Sequence, residues 1–172
     1  EAAPNGGQMV YHFTARPGTY LYQSGTHQQA QVQMGLYGAM VQAYPGVASN
    51  AQATLLFSEI DPVQHALIDS VLGTATAALP SEWTTRKLTT LDYSPTHFLI
   101  NGKVFDAPGT GAADDASTDI GLEVAAGDVI QLRLLNAGYR TRVPSWVSRS
   151  TPGAAMPSHW QVIAEDGQRY TH

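Results

Sequence analysis

The sequence predicts an all-β protein with one short helix, and three observations carry that prediction. Apolar, β-branched and aromatic residues recur with a period of two between Gly and Pro punctuation, as half-buried strands require. Helix-period spacing is confined to residues 58–69. Hydrophobic residues make up 43% of the 172 residues and charged ones only 13%, with 16 Gly and 10 Pro, so apolar surface to bury and places to turn are both plentiful. Strand follows strand without the alternating helices of a parallel sheet, which points to sandwich or barrel packing.

In chain order the predicted strands are Gln8 to Ala15, Thr19 to Gln23, Gly35 to Ala43, Ala53 to Phe57, His97 to Ile100, Asp119 to Val124, Val129 to Asn136 and His159 to Glu165. The helix starts where Asp61 can cap a turn opened by Pro62, with Val63, Ala66 and Leu67 on one side, and should run about two turns. In the strand at 129–136, Ile130, Leu132 and Leu134 are expected to face the core while Gln131 and Arg133 face out. Ala126-Gly127-Asp128 is a turn that can take positive φ at Gly127, and Asn136-Ala137-Gly138 closes the far end. Asn101-Gly102 between two apolar pairs is a strong two-residue hairpin signal. Tyr44 to Asn50 and Gly109 to Ser117 read as connectors, and no repeat of fixed period is present. A block of three strands, a linker and a larger block result.

Composition excludes several function classes. The net charge is −5, and the only lysines are Lys87 and Lys103, so no basic field exists to hold a nucleic acid. No apolar run approaches the ~18 residues of a membrane helix. The N-terminal residues lack a signal-peptide layout, so a soluble protein is expected, or one from which a targeting segment was removed. Cysteine is absent, which excludes disulfides, thiolate nucleophiles, iron–sulfur clusters and a blue-copper centre.

The first block runs Met9-Val10-Tyr11-His12-Phe13, then Pro17-Gly18-Thr19-Tyr20-Leu21-Tyr22-Gln23-Ser24-Gly25-Thr26-His27 and Gly35-Leu36-Tyr37-Gly38. It resembles the end of the first cupredoxin domain of the laccase-like multicopper oxidases, where P-G-T-Y/F-W-Y-H-S-H leads into G-L-x-G. The second block resembles their second cupredoxin domain through His97-Phe98-Leu99-Ile100-Asn101-Gly102-Lys103, the strand ending Leu134-Leu135-Asn136-Ala137-Gly138, and His159-Trp160 to Asp166-Gly167. The resemblance implies cupredoxin-like Greek-key β-sandwiches, one partial and one nearly complete. Residues 1–44 would be the C-terminal part of a first domain, 45–52 a linker and 53–172 the second domain. It also implies a secreted or periplasmic oxidoreductase that uses copper to oxidise a small donor while reducing oxygen.

The copper ligands do not carry over with the strands. Where the family pattern has the two imidazoles of H-S-H, this chain has Gln23 and Gly25. His27, two residues on, is the candidate metal ligand, with Gln28-Gln29 available to orient it; the alternative is an exposed loop histidine. His12 is expected to pair across a sheet, His97 and His159 match structural positions of the family, His65 lies on the helix and His172 is near the end. No H-x-H, H-x-x-H or H-x-x-x-H spacing occurs.

Of the acidic pairs, Glu59 with Asp61, Asp114 with Asp115 and Glu165 with Asp166, all are expected in solvated turns rather than in an acid–base dyad. No G-x-S-x-G elbow, P-loop or G-x-G-x-x-G is present, so no catalytic residue is named. Tyr20, Tyr22, Tyr37, Tyr44, Trp146 and Trp160 are read as packing residues, with an aromatic or sugar platform as the alternative.

Two functions remain. One is a scaffold segment of a multicopper-oxidase-like protein, its copper supplied by the remaining cupredoxin domains or a partner chain. The other is a noncatalytic structural protein whose open strand edges pair with a second copy into an oligomer. A carbohydrate-binding sandwich rests on aromatic content alone.

Overall fold

A computed structural model describes residues 6–25, 27–72, 92–104, 122–144 and 160–170. Among these, strands in sheets dominate and helices are few. The order is β1 (Gly18–Gln23), α1 (Gln28–Gln31), β2 (Tyr37–Gln42), β3 (Ala51–Ile60), α2 (Pro62–Leu72), β4 (His97–Ile100), β5 (Lys103–Val104), β6 (Ile130–Asn136), β7 (Ala164–Glu165) and β8 (Gln168–Arg169). β1 and β2 form an antiparallel pair, β5-β4-β3-β6 a four-stranded sheet, and β7-β8 a hairpin.

β1 and β2 pair because glycines let the chains meet under aromatic rings. Tyr22 stands opposite Gly38, and a Cβ on Gly38 would run into the Tyr22 phenol. That packing gives the Gly-Leu-Tyr-Gly segment its need for Gly at this position. Gly35 turns the chain into β2 with φ 95°. The ring of Tyr20 covers Gly167, and Tyr44 donates its hydroxyl proton to the Gly167 carbonyl at 3.1 Å, so the β7-β8 turn is clasped by the first block. Arg169 completes the clasp, donating to the Pro45 carbonyl at 3.3 Å with its guanidinium 5.8 Å from the Tyr44 ring centre.

Both two-residue turns are of the I′ kind that matches strand twist. Asn101 and Gly102 have φ 52° and 78°, and Asp166 and Gly167 have φ 47° and 73°. Asn101 does more than turn. Its side chain accepts from Leu56 N at 2.9 Å and donates to the Thr54 carbonyl at 3.0 Å, extending β4's pairing with β3 past the strand's end.

β3 is the centre of the large sheet, antiparallel to β4 and parallel to β6. A parallel pair needs a long crossover, and residues 61–129 lie between the two strands. The expected orientation of β6 is reversed. Ile130 and Leu134 are 39% and 45% exposed, whereas Arg133 is 9% exposed. The guanidinium is held by the side-chain carbonyls of Gln52 and Gln131, both at 2.9 Å, so its burial is paired rather than bare. Period two was readable in the sequence; which face is covered depends on what packs there.

Other expectations differ from the structure. Gln8 to Ala15 is irregular and exposed, so His12 pairs across no sheet. Among the described residues no strand lies beside it to complete its backbone hydrogen bonds. Residues 122–124 and 160–163 are likewise outside strands. The helix α2 spans 11 residues rather than about two turns, and buries Gln64, Leu67 and Ile68. A second helix, the four-residue α1, has no apolar period to announce it. It is held from outside by Gln64, whose side chain donates to the Gln29 carbonyl at 3.0 Å, and by a Ser24–Gln31 side-chain hydrogen bond. The connector at 109–117, the remainder of the strands at 119–124 and 159–165, and Trp146, His159 and His172 lie outside the described residues. None of the described helices is long and apolar enough to cross a membrane.

Asn101→Ala removes two side-chain hydrogen bonds and a residue suited to positive φ. We expect a loss of about 1–3 kcal/mol in urea unfolding; an unchanged midpoint would show that the Asn101 contacts add nothing.

Candidate functional site

The β3–α2 corner organises the site. Glu59 and Asp61, expected in a solvated turn, are 4% and 2% exposed. Asp61 caps α2, accepting from Val63 N at 2.9 Å and Gln64 N at 3.3 Å on one oxygen. Its other oxygen accepts from Ser94 N at 2.9 Å, which ties the segment before β4 to the helix start.

Glu59 faces the loop that leaves β6. Its Oε1 accepts from the backbone N–H groups of Tyr139 and Arg140, each at 3.0 Å, and its Oε2 pairs with Arg142. Arg142 also lies 4.5 Å above the centre of the Phe98 ring. A Cβ on Gly138 would meet the Glu59 carboxyl carbon at 2.8 Å, so the loop can approach only with glycine there. Asn136 secures the loop's ends, accepting from Gly138 N at 3.1 Å and donating to the Arg140 carbonyl at 2.9 Å.

Two tyrosines stand on these anchored segments. Tyr93 and Tyr139 meet edge to face, with ring centres 5.2 Å apart and planes at 69°. Tyr93 donates to the side-chain carbonyl of the buried Gln33 at 2.8 Å. Burial, and next to it the Glu59 charge, raise the Tyr93 phenol well above its ordinary value of 10.0. Burial raises Tyr139 too. Both phenols stay neutral hydrogen-bonding groups through the physiological range.

These residues form one wall of a cleft of about 830 Å³ whose other wall is the β1–α1 corner. Gln23, Gly25, His27, Gln28, Gln29 and Val32 line that side; Tyr93, Asn136, Ala137, Gly138 and Tyr139 line the other. The structure therefore brings Gln23, Gly25 and His27 together at the mouth of one cavity. His27 takes a left-handed conformation, φ 48° and ψ 52°, at the start of α1, and its imidazole is exposed and makes no capping bond. His97 lies elsewhere, 3.0 Å from the Thr96 hydroxyl. On α2, His65 carries a buried Nε2 without a hydrogen-bond partner among the described residues.

Copper is a poor fit for this corner. It offers an amide at Gln23, no side chain at Gly25 and one imidazole, while a copper site of this kind needs several nitrogen donors. Among the described residues no three His, Cys, Asp or Glu side chains are grouped to share a metal ion. Tyr93, Tyr139 and Gln33 were not singled out in the sequence. No spacing rule joins residues so far apart in the chain, and only the Asn136-Ala137-Gly138 turn was a signal of the wall they build. Comparison with protein-family models, curated proteins and solved structures returns no match to the chain.

Replacing Glu59 with Ala strands two backbone donors and the Arg142 charge; about 3 kcal/mol or more should be lost in denaturant unfolding. Glu59→Gln, which keeps an acceptor oxygen, should cost less, and equal losses would show that the carboxylate's hydrogen bonds are unimportant. The raised Tyr93 pKa means that the folded state holds its proton longer than the unfolded chain does. Its contribution is therefore complete below pH 10.0 and shrinks as pH rises from there toward the folded-state value. Wild type should lose stability over that range more steeply than Tyr93→Phe, as read from urea midpoints at several pH values; parallel slopes would contradict the coupling.

Proposed function

We propose that this chain is a scaffold segment of a multicopper-oxidase-like protein, built from a partial and a nearly complete cupredoxin-like Greek-key sandwich. In such a protein the reaction is copper-dependent oxidation of a small donor coupled to oxygen reduction. Copper would come from the remaining cupredoxin domains or a partner chain, and secretion or a periplasmic location belongs to the same reading. One observation carries it: the corner after β1, whose sequence bears the resemblance, holds Gln23 and Gly25 at the positions of the family's imidazoles, with His27 alone beside them in the cleft. The resemblance thus lies in the strand sequences around this corner, and the two residues at the ligand positions offer no imidazole.

A second reading, a self-assembling noncatalytic protein, is favoured by the outer face of β6. Among the described residues this strand is the last in its sheet, and Ile130 and Leu134 on it are open to solvent along with the adjoining Val129. Such an edge is a template for another strand.

The chain, loaded with copper and dialysed, should retain no stoichiometric metal and oxidise no phenolic donor, and the imidazole resonances of His27 should not shift on copper titration. Stoichiometric copper with turnover would overturn the scaffold reading. Size-exclusion at several concentrations separates the second reading: a monomer throughout argues against strand completion.

A further inference from the structure

We infer that the cleft between the β1–α1 corner and the Tyr93–Tyr139 pair is a binding site for a neutral saccharide. Its size, about 830 Å³, is within the range of roughly 300–1,000 Å³ typical of small-molecule sites. No Lys, Arg, Asp or Glu is among its described lining residues. Beneath this wall Glu59 is closed off by Gly138 and paired with Arg142. The described lining therefore offers an ionic ligand no fixed counter-charge, which favours an uncharged occupant.

The polar groups that are left select hydroxyls. Gln23, Gln28 and Gln29 are exposed at the mouth, and among the described residues their side-chain amides make no hydrogen bond. Each offers two donors and an acceptor, which suits a hydroxyl that both gives and takes a hydrogen bond. His27 adds an imidazole on the same rim. Opposite them the ring of Tyr139, in a residue 45% exposed, offers an apolar surface held rigid by Tyr93 and by the Glu59 bond to its own N–H. A pyranose has this same division, C–H groups on its face and hydroxyls around its edge. A simple phenol would use the ring and leave the three amides unpaired. The inference does not rest on the scaffold reading, because neither copper nor a further domain enters it.

Titration of the full chain with cellobiose and with maltose, followed in amide NMR spectra, tests it. Saturable shifts are expected at Gly25, Ala137, Gly138 and Tyr139 with at least one of the sugars. Gln28→Ala/Gln29→Ala, at exposed side chains that leave the fold unburdened, should weaken binding about tenfold or more. Tyr139→Leu, which keeps the backbone N–H that Glu59 holds, should do likewise. No saturable shift with either sugar, undiminished affinity in the double variant, or saturation of the same amides by phenol instead would overturn the inference.

Discussion

Two buried carboxylates, Glu59 and Asp61, are what the described structure hangs on. A carboxylate taken out of water is stable only if its oxygens are met by donors, and here the donors come from distant parts of the chain. Asp61 gathers the start of α2 and Ser94, while Glu59 gathers Tyr139, Arg140 and Arg142. Leaving any of these segments loose exposes an unmatched charge, so the segments are held as a set. Tyr93 and Tyr139 sit one residue from the anchored points or on them, and the cleft wall inherits their placement.

The apolar core among the described residues is small by comparison. Val32, Leu55, Leu67, Ile68 and Ala137 are buried hydrophobics, and Gln33, Ser58, Gln64 and Arg133 are buried with them. Buried polar side chains specify geometry more narrowly than methyl groups do, because each must meet a partner at a given distance and angle. The Arg133–Gln52–Gln131 cluster fixes how β6 lies on β3 in this way. The cost is an outer apolar face on β6, with Ile130 and Leu134 left to solvent, and this open face is what keeps assembly with another chain in view beside a scaffold role.

Much of the fold was legible because it is local. β4 falls on residues 97–100 as read, β1, β2, β3 and β6 lie within two or three residues of their expected ends, and the turns at Asn101-Gly102 and Gly127 take the positive φ their residues favour. The α2 start, with Asp61 capping ahead of Pro62, is local in the same sense. Gln8 to Ala15 shows the limit: alternation that meets no partner strand among the described residues makes no sheet. For the cleft, Gln23, Gly25 and His27 stood out because they are close in sequence, whereas Tyr93 and Gln33 are 60 residues apart and meet through one hydrogen bond. The carboxylates at 59 and 61 were misjudged as solvated because their partners are up to 83 residues away.

The amino-acid sequence alone determined the β-rich character, the turn positions, the capped helix and the absence of imidazoles at 23 and 25. These follow from backbone preferences and side-chain chemistry acting over a few residues. Only the tertiary structure decided which face of β6 is covered, that Glu59 and Asp61 are buried, and that the β1–α1 corner faces two tyrosines across a cleft. Those outcomes depend on which distant donors reach each oxygen and guanidinium, and a hydrogen-bond partner is chosen by position in space rather than by order along the chain.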